Sequence, residues 1–209
     1  MSGMLCVMAK IPVPGRTKTR LIPALGAENA AALSAAMTED VRKIAEATGL
    51  PWRMCVEGWM EHPWTRDLSC ATEPQCDGDL GARLTHALRE GGVAIGTDCV
   101  LLRPETLRIA HEAVQTDVDL ALGLALDGGY TFVGASLHAV RRGVFDAIPW
   151  STPQTAAAQL HRAQVLGLRI RTMDGTFDVD EPEDIGRLRQ ALAQMSNTVA
   201  PHSRAWLAL

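Results

Sequence analysis

The chain has 209 residues, 47% hydrophobic and 21% charged, so it is long enough for one large domain and has neither a disordered nor a repeat composition. A formal net charge of −4 argues against the basic footprint of nucleic-acid binding, and no apolar run reaches the ~20 residues a membrane helix needs. The apolar stretch at Met4–Met8 is too short for a signal segment, and the five cysteines form no C-x-x-C pair, so a cytoplasmic protein with reduced thiols is expected.

Taken in chain order, strand-like runs alternate with helical patterns. Met4–Ala9 reads as a strand, about Ala27–Thr48 as a helix closed by Gly49, and Trp52–Glu57 as the next strand. A helix N-capped near Asp79 runs to Glu90, where Gly91-Gly92 stop it before the strand Val93–Gly96. Pro104 opens a helix to about Gln115. Leu120–Leu124 and Tyr130–Gly134 are strands joined by the short turn Asp127-Gly128-Gly129, which makes one of them antiparallel. A helix from Thr152-Pro153 to about Leu166, a strand at Arg169–Thr172 and a helix over Pro182–Met195 complete the pattern. The expected architecture is a three-layer α/β/α domain over residues 1–195 with a mostly parallel mixed sheet, followed by a loose tail, 196–209, whose closing Trp206-Leu207-Ala208-Leu209 could dock on the body or on a partner chain.

Three segments carry the chemistry. Lys10 through Leu21 follows the first strand with Lys10, Arg16, Lys18 and Arg20, stiffened by Pro12 and Pro14 and opened by Gly15. In open α/β sheets ligands gather at the carboxyl ends of strands, and such a loop suits a polyphosphate, although alone it also reads as a solvated basic turn. Asp98 ends a strand in Gly96-Thr97-Asp98-Cys99 and is placed to hold a hard cation; equally, it could start the next turn. Cys99 has no evident histidine partner and is not expected to act as a nucleophile. Asp178 to Asp184 has five acidic positions in seven. Asp180 with Glu183 reads as a capping box, but the surplus of carboxylates makes Asp180 a candidate second metal ligand, with Glu181, Glu183 and Asp184 complementing the helix dipole.

Weaker signals are Asp79 and Gly81 at a helix start, where free N–H groups meet an anion or sugar, and Asp127-Gly128-Gly129-Tyr130, a hairpin turn beside the chain's single tyrosine. Trp150-Ser151-Thr152 could line an acceptor pocket, with Trp150 equally suited to the core.

In order, these motifs resemble a bacterial family of unassigned function in the nucleotide-diphospho-sugar transferase superfamily, labelled as glycosyltransferases associated with radical SAM or selenium-related gene clusters. The resemblance spans about residues 4–190 and extends to phospholactate guanylyltransferases and molybdenum-cofactor nucleotidyltransferases. It implies a GT-A-like (Rossmann-like) fold, with Arg16, Lys18 and Arg20 as phosphate ligands and Asp98 and Asp180 holding Mg²⁺ or Mn²⁺. The family pattern continues after Asp98-Cys99 with proline and a second aspartate, where this chain has Val100-Leu101.

The resulting expectation is a metal-dependent transferase acting on a nucleotide and a small acceptor. Lys18, Asp98 and Asp180 would be catalytic, Lys10, Gly15, Arg16, Lys18, Arg20, Asp79 and Gly81 would bind nucleotide, and Asp127, Gly128, Gly129, Tyr130, Trp150 and Ser151 would bind acceptor. Transfer of a nucleotidyl group from a triphosphate to a small phosphorylated acceptor is favoured. Glycosyl transfer from a nucleotide sugar is the alternative, and a non-catalytic nucleotide-binding protein a third reading.

Overall fold

A computed structural model describes residues 3–58, 62–125 and 127–208. The chain opens with β1 (Met4–Lys10), whose alternate residues are buried on opposite faces because the strand lies inside the sheet. The basic loop follows, closed by a single 3-10 turn at Thr19–Leu21 and the short α1 (Ile22–Leu25). α2 (Ala27–Ala47) is alanine-rich and buries Leu33, Met37 and Val41 along one stripe, as a helix of this period must when it covers a sheet.

β2 (Trp52–Glu57), α3 (Pro63–Arg66) and the short edge strand β3 (Thr72–Pro74) come next, then α4 (Leu80–Ala87), β4 (Gly92–Gly96) and α5 (Pro104–Thr116). β5 (Leu120–Leu124) and β6 (Tyr130–Ala135) are separated by the Asp127 turn and followed by α6 (Leu137–Arg141), α7 (Thr155–Val165), β7 (Ile170–Asp174), α8 (Pro182–Ala193) and α9 (Pro201–Leu207). Thr152-Pro153 precede α7 in a turn instead of starting it, and α4 stops at Ala87, short of the expected Glu90.

The seven strands lie in the order β3-β2-β1-β4-β6-β5-β7. β6 runs antiparallel to both neighbours, while every other pairing among the described residues is parallel, as the short Asp127 turn predicts. One face packs Leu5, Val7, Ile95 and Phe132 against α2, α5, α8 and α9. The other packs Cys6, Cys55, Leu122 and Val133 against α4, α6 and α7. Cys6 and Cys55 are thus small buried hydrophobes, and the architecture is the expected three layers.

The segment from Ser196 corrects the expectation of a loose tail. α9 docks on α2, where the buried Asp40 accepts hydrogen bonds from the backbone N–H groups of His202 (2.9 Å) and Ser203 (2.7 Å). Arg204, itself buried, donates to the carbonyls of Leu192, Met195 and Ser196, capping the end of α8. The apolar character of Trp206 and Leu207 is only part of the reason, since these polar bonds fix the register.

Candidate active site

The carboxyl ends of β1 and β4 open onto one cleft, and the chain after β7 crosses back to reach it. Gly175 donates to the Leu124 carbonyl (3.0 Å), Thr176 to the Thr131 hydroxyl (3.4 Å), and Val179 to the Asp98 carbonyl (3.2 Å). Those three bonds carry residues 175–180 over the ends of β5, β6 and β4. Because β6 is reversed, its first residues and the Asp127 turn stand on the same rim.

The basic loop is held by its own backbone. Val13 donates to Ile11 (2.8 Å), Arg16 to Val13 (3.0 Å), and the buried Thr17 hydroxyl to the Ile11 carbonyl (2.7 Å). Lys18 adopts the left-handed conformation, φ 48°, ψ 47°, at a cost of about 1–2 kcal/mol for a residue with a Cβ. The conformation turns its side chain inward, where Nζ donates to Asp98 Oδ2 (3.1 Å) and Asp180 Oδ1 (3.0 Å) with only 9% of the side chain exposed. Arg20 adds a second contact to Asp180 (2.8 Å) and one to Glu181 (3.3 Å).

Electrostatics follow from this arrangement. Burial pulls the Lys18 pKa down, but the charges of Asp98 and Asp180 outweigh it and hold the ammonium protonated. Burial pushes Asp98 up, and Lys18 more than reverses this, so its carboxyl lies below the usual range. Asp178, without a cationic partner among the described residues, is pushed up to about 6 by burial and by Asp98, Asp127 and Asp180. The Cys99 thiol is buried, with its pKa driven well up by burial and by Asp98, in keeping with a non-nucleophilic role.

Asp180 reaches this position because it is not the helix cap. The capping pattern lies one residue later: Asp184 Oδ2 accepts from the backbone N–H groups of Glu181 (2.9 Å) and Asp180 (3.1 Å), and Glu181 is the N-cap. This corrects the Asp180–Glu183 box and leaves the Asp180 carboxylate free to face the cleft. Gly96 contributes by omission: a Cβ there would stand 2.5 Å from Asp98 Oδ1.

The cleft has two lobes that meet at Arg20, Leu80 and Asp180. The first, about 320 Å³, is lined by Lys10, Arg16, Lys18, Arg20 and Arg83 together with Glu57, Asp98 and Thr97. Lys10 and Arg83 both pair with Glu57, at 3.7 and 2.7 Å. The second lobe, about 360 Å³, is lined by Asp127, Gly129, Tyr130, Trp150, Ser151 and Asp178. Tyr130 and Trp150 meet edge to face, 6.5 Å between centroids, and the Tyr130 hydroxyl lies 3.5 Å from Gln159 Oε1.

Of the residues singled out in the sequence, Lys10, Arg16, Lys18, Arg20, Asp98 and Asp180 are brought together in the first lobe. Asp127, Gly129, Tyr130, Trp150 and Ser151 share the second. Gly15 sits at the loop tip with φ 78° and lines neither lobe. Asp79 accepts from Ala82 N (2.9 Å) as the N-cap of α4, and Gly81 is buried beneath Phe145 and Trp150; neither lines a lobe, and Leu80 and Arg83 do so instead. Gly128 also stays out of the lining, with φ 89° and a Cβ position 2.0 Å from the Pro153 carbonyl oxygen, so it seats the hairpin turn against the loop before α7. Asp178 and Arg83 were not singled out. For Asp178 the signal was present in the acidic run but indistinguishable from helix-end carboxylates. Val100 and Leu101 line a separate apolar groove with Ile44 and Val199, outside both lobes.

Among the described residues no group of three or more His, Cys, Asp or Glu is arranged to hold a metal. Two carboxylates converging on one ammonium nevertheless form an oxygen donor pair of the kind a hard cation takes.

Comparison with solved structures places the fold. A Desulfovibrio desulfuricans G20 protein named as a candidate nucleotide-diphospho-sugar transferase superposes with a TM-score of 0.88 at 24% identity, over 98% of this chain and 93% of that one. The CTP complex of CMP:2-keto-3-deoxy-manno-octonic acid synthetase gives 0.59 at 12% identity, covering 91% and 98%. Molybdopterin-guanine dinucleotide biosynthesis protein A from Archaeoglobus fulgidus gives 0.57 at 14%, covering 91% and 100%. The chain therefore shares the fold of these structures, a three-layer α/β/α domain with a mostly parallel mixed sheet, as expected from the motifs. No curated protein matches the sequence. The model of the family described as "Uncharacterized protein conserved in bacteria (DUF2064)" matches residues 35–152, over half of the chain and including Asp98 and the Asp127–Ser151 lobe, and the chain belongs to that family.

Proposed function

We propose that the protein is a nucleotide-utilising transferase, and within that class a nucleotidyltransferase that uses a nucleoside triphosphate. The observation that carries this reading is Lys18, fixed in a strained conformation in the basic lobe between Asp98 and Asp180, the latter standing where the two lobes meet. An ammonium has three donors, and two are used here, so the third is available to a phosphate oxygen. Arg16 has no carboxylate partner among the described residues, and Lys10, Arg20 and Arg83 share theirs, so the lobe keeps an excess of cations for a polyphosphate.

Asp98 and Asp180, whose carboxylates converge on Lys18, are the residues that would hold Mg²⁺ or Mn²⁺, with nucleotide phosphates completing the shell. Bound there, the metal would neutralise phosphate charge and steady the leaving pyrophosphate. The chain's own part is positioning: the basic loop orients the phosphates, and the second lobe holds the acceptor in line with the α-phosphorus. The acceptor oxygen forms a bond to that phosphorus as the bond to pyrophosphate breaks, and the acceptor's proton passes to solvent.

Glycosyl transfer from a nucleotide sugar is the second reading, favoured by the carboxylates of the second lobe, which suit hydroxyl groups. Titration of wild type and Lys18→Met with triphosphates and with nucleotide-diphosphate sugars in Mg²⁺ separates the two. Loss of a charged hydrogen bond, about 1.5–3 kcal/mol, should weaken triphosphate binding by about one to two decades and diphosphate-sugar binding by less. Nucleotide-sugar binding indifferent to Lys18, with no pyrophosphate released from any triphosphate, would promote glycosyl transfer.

A further inference from the structure

The cleft sorts its charges. Among the described residues Arg20 is the single cation lining the second lobe, and it is already engaged by Asp180 and Glu181; against it stand Asp127, Asp178 and Asp180. The remaining cations, Lys10, Arg16, Lys18 and Arg83, all line the first lobe. We propose that the acceptor is a non-anionic polyhydroxyl compound, a sugar or polyol, seated between Asp127, Asp178 and the Tyr130–Trp150 pair with one hydroxyl oxygen as the nucleophile. The proposal rests on the transferase reading above and replaces the phosphorylated acceptor expected from the sequence.

Three features of the lobe suit such a molecule. Asp127 uses Oδ1 to accept from Gly129 N (2.9 Å), which fixes the carboxylate and leaves Oδ2 for a ligand hydroxyl. Ser151, exposed at φ 59° beside it, supplies a small group that both donates and accepts. The Tyr130–Trp150 edge provides an apolar wall for ring C–H groups. A phosphomonoester in the same place would face carboxylates with no free cation among the described residues, a like-charge juxtaposition that disfavours the wrong partner. The hydroxyl oxygen bonds to the α-phosphorus, the bond from that phosphorus to the bridging oxygen breaks, pyrophosphate leaves with the electron pair, and the hydroxyl proton passes to water. For a nucleotide-sugar donor the same oxygen would attack the anomeric carbon and release the nucleoside diphosphate, so the acceptor class does not depend on which donor is used.

The test uses glucose, glucosamine and glucose 6-phosphate at millimolar concentration as probes, in saturation-transfer NMR with the full chain. Spectra are taken with Mg²⁺ and a non-hydrolysable triphosphate analogue, so that the first lobe is filled, and again without nucleotide. Glucose and glucosamine should receive saturation, and glucose 6-phosphate should bind the nucleotide-loaded protein at least about tenfold more weakly. Asp127→Asn, which keeps the acceptor for Gly129 N, and Asp178→Asn should each narrow that gap severalfold. Phosphate-ester binding equal to or tighter than that of glucose, or no contact with either uncharged or amino sugar, would overturn the proposal. Calorimetric titration of the triphosphate analogue on the same sample keeps the two readings apart: its failure to bind defeats the nucleotidyltransferase reading, while the nucleotide-free sugar spectra still decide the acceptor class.

Discussion

Replacing Lys18 by methionine keeps the buried stem and removes only the charge. Nζ makes two charge-assisted bonds, at 3.1 and 3.0 Å, to carboxylates whose side chains are 29% and 38% exposed. Breaking a fully buried pair by removing one partner costs about 3–5 kcal/mol, and the partial exposure of both aspartates places this loss near the lower end, about 3 kcal/mol at pH 7.5. The pH dependence gives the test its edge. In the wild type Asp98 has a depressed pKa, so its contribution is present above the ordinary carboxylate range and lost as pH falls through the depressed value. Without Lys18 only the backbone and Cys99 hydrogen bonds are left to oppose burial, so the Asp98 pKa should rise, and its less favourable ionisation should make stability fall as pH rises. Urea unfolding of both proteins in chelator at pH 5 and 7.5 should therefore show a deficit that widens with pH, and Mg²⁺ should restore more stability to the variant than to the wild type. A deficit equal at the two pH values, or none, would refute the view that Lys18 holds the two carboxylates together.

Asp178→Asn should stabilise the metal-free protein at pH 7.5 by about 1–2 kcal/mol after solvent screening and leave it unchanged below pH ~4. The raised carboxyl contributes fully only below its unfolded pKa and loses that contribution as pH rises through about 6, which thermal melts across pH will show. Gly128→Ala should cost at least about 2 kcal/mol in urea midpoints, because a Cβ would strike the Pro153 carbonyl in a left-handed backbone. Asp40→Ala should remove the acceptor for two backbone N–H groups, costing about 2–3 kcal/mol, and release α9. Hydrogen exchange localised to residues 200–208 measures that release.

The strand and helix alternation was legible because β1, α2, β4 and α5 each carry a full period of apolar residues. β3 and α3, of three and four residues, carry none, and α6 is signalled only by the Ser136 cap, whose hydroxyl accepts from Ala139 N (3.1 Å). α9 escaped for a different reason: its docking depends on Asp40, 162 positions from His202, which no local pattern links. The cap of α8 was misplaced by one residue because Asp180 and Glu181 are both suitable caps from sequence, and the choice falls to Glu181, whose N–H donates to Asp184 three residues on. Lys18, Asp98 and Asp180 were readable as candidates because each lies at a strand end or loop, but their sharing of one ammonium was not, since loop conformation at a positive φ has no compositional mark in a lysine. The division of the cleft into a basic and an acidic lobe was equally invisible, because it depends on the path of residues 175–180 across three strand ends.

The Lys18–Asp180 contact joins positions separated by 162 residues. During synthesis the basic loop emerges early and must wait for nearly the whole domain before its counter-charges arrive, as domains fold largely as units. Until then the loop is an unneutralised cluster of cations on an unfinished sheet. Assembly of the cleft is consequently all-or-none along the chain: a product that stops short of Asp180 has the basic loop but not the carboxylate that pins Lys18 and Arg20.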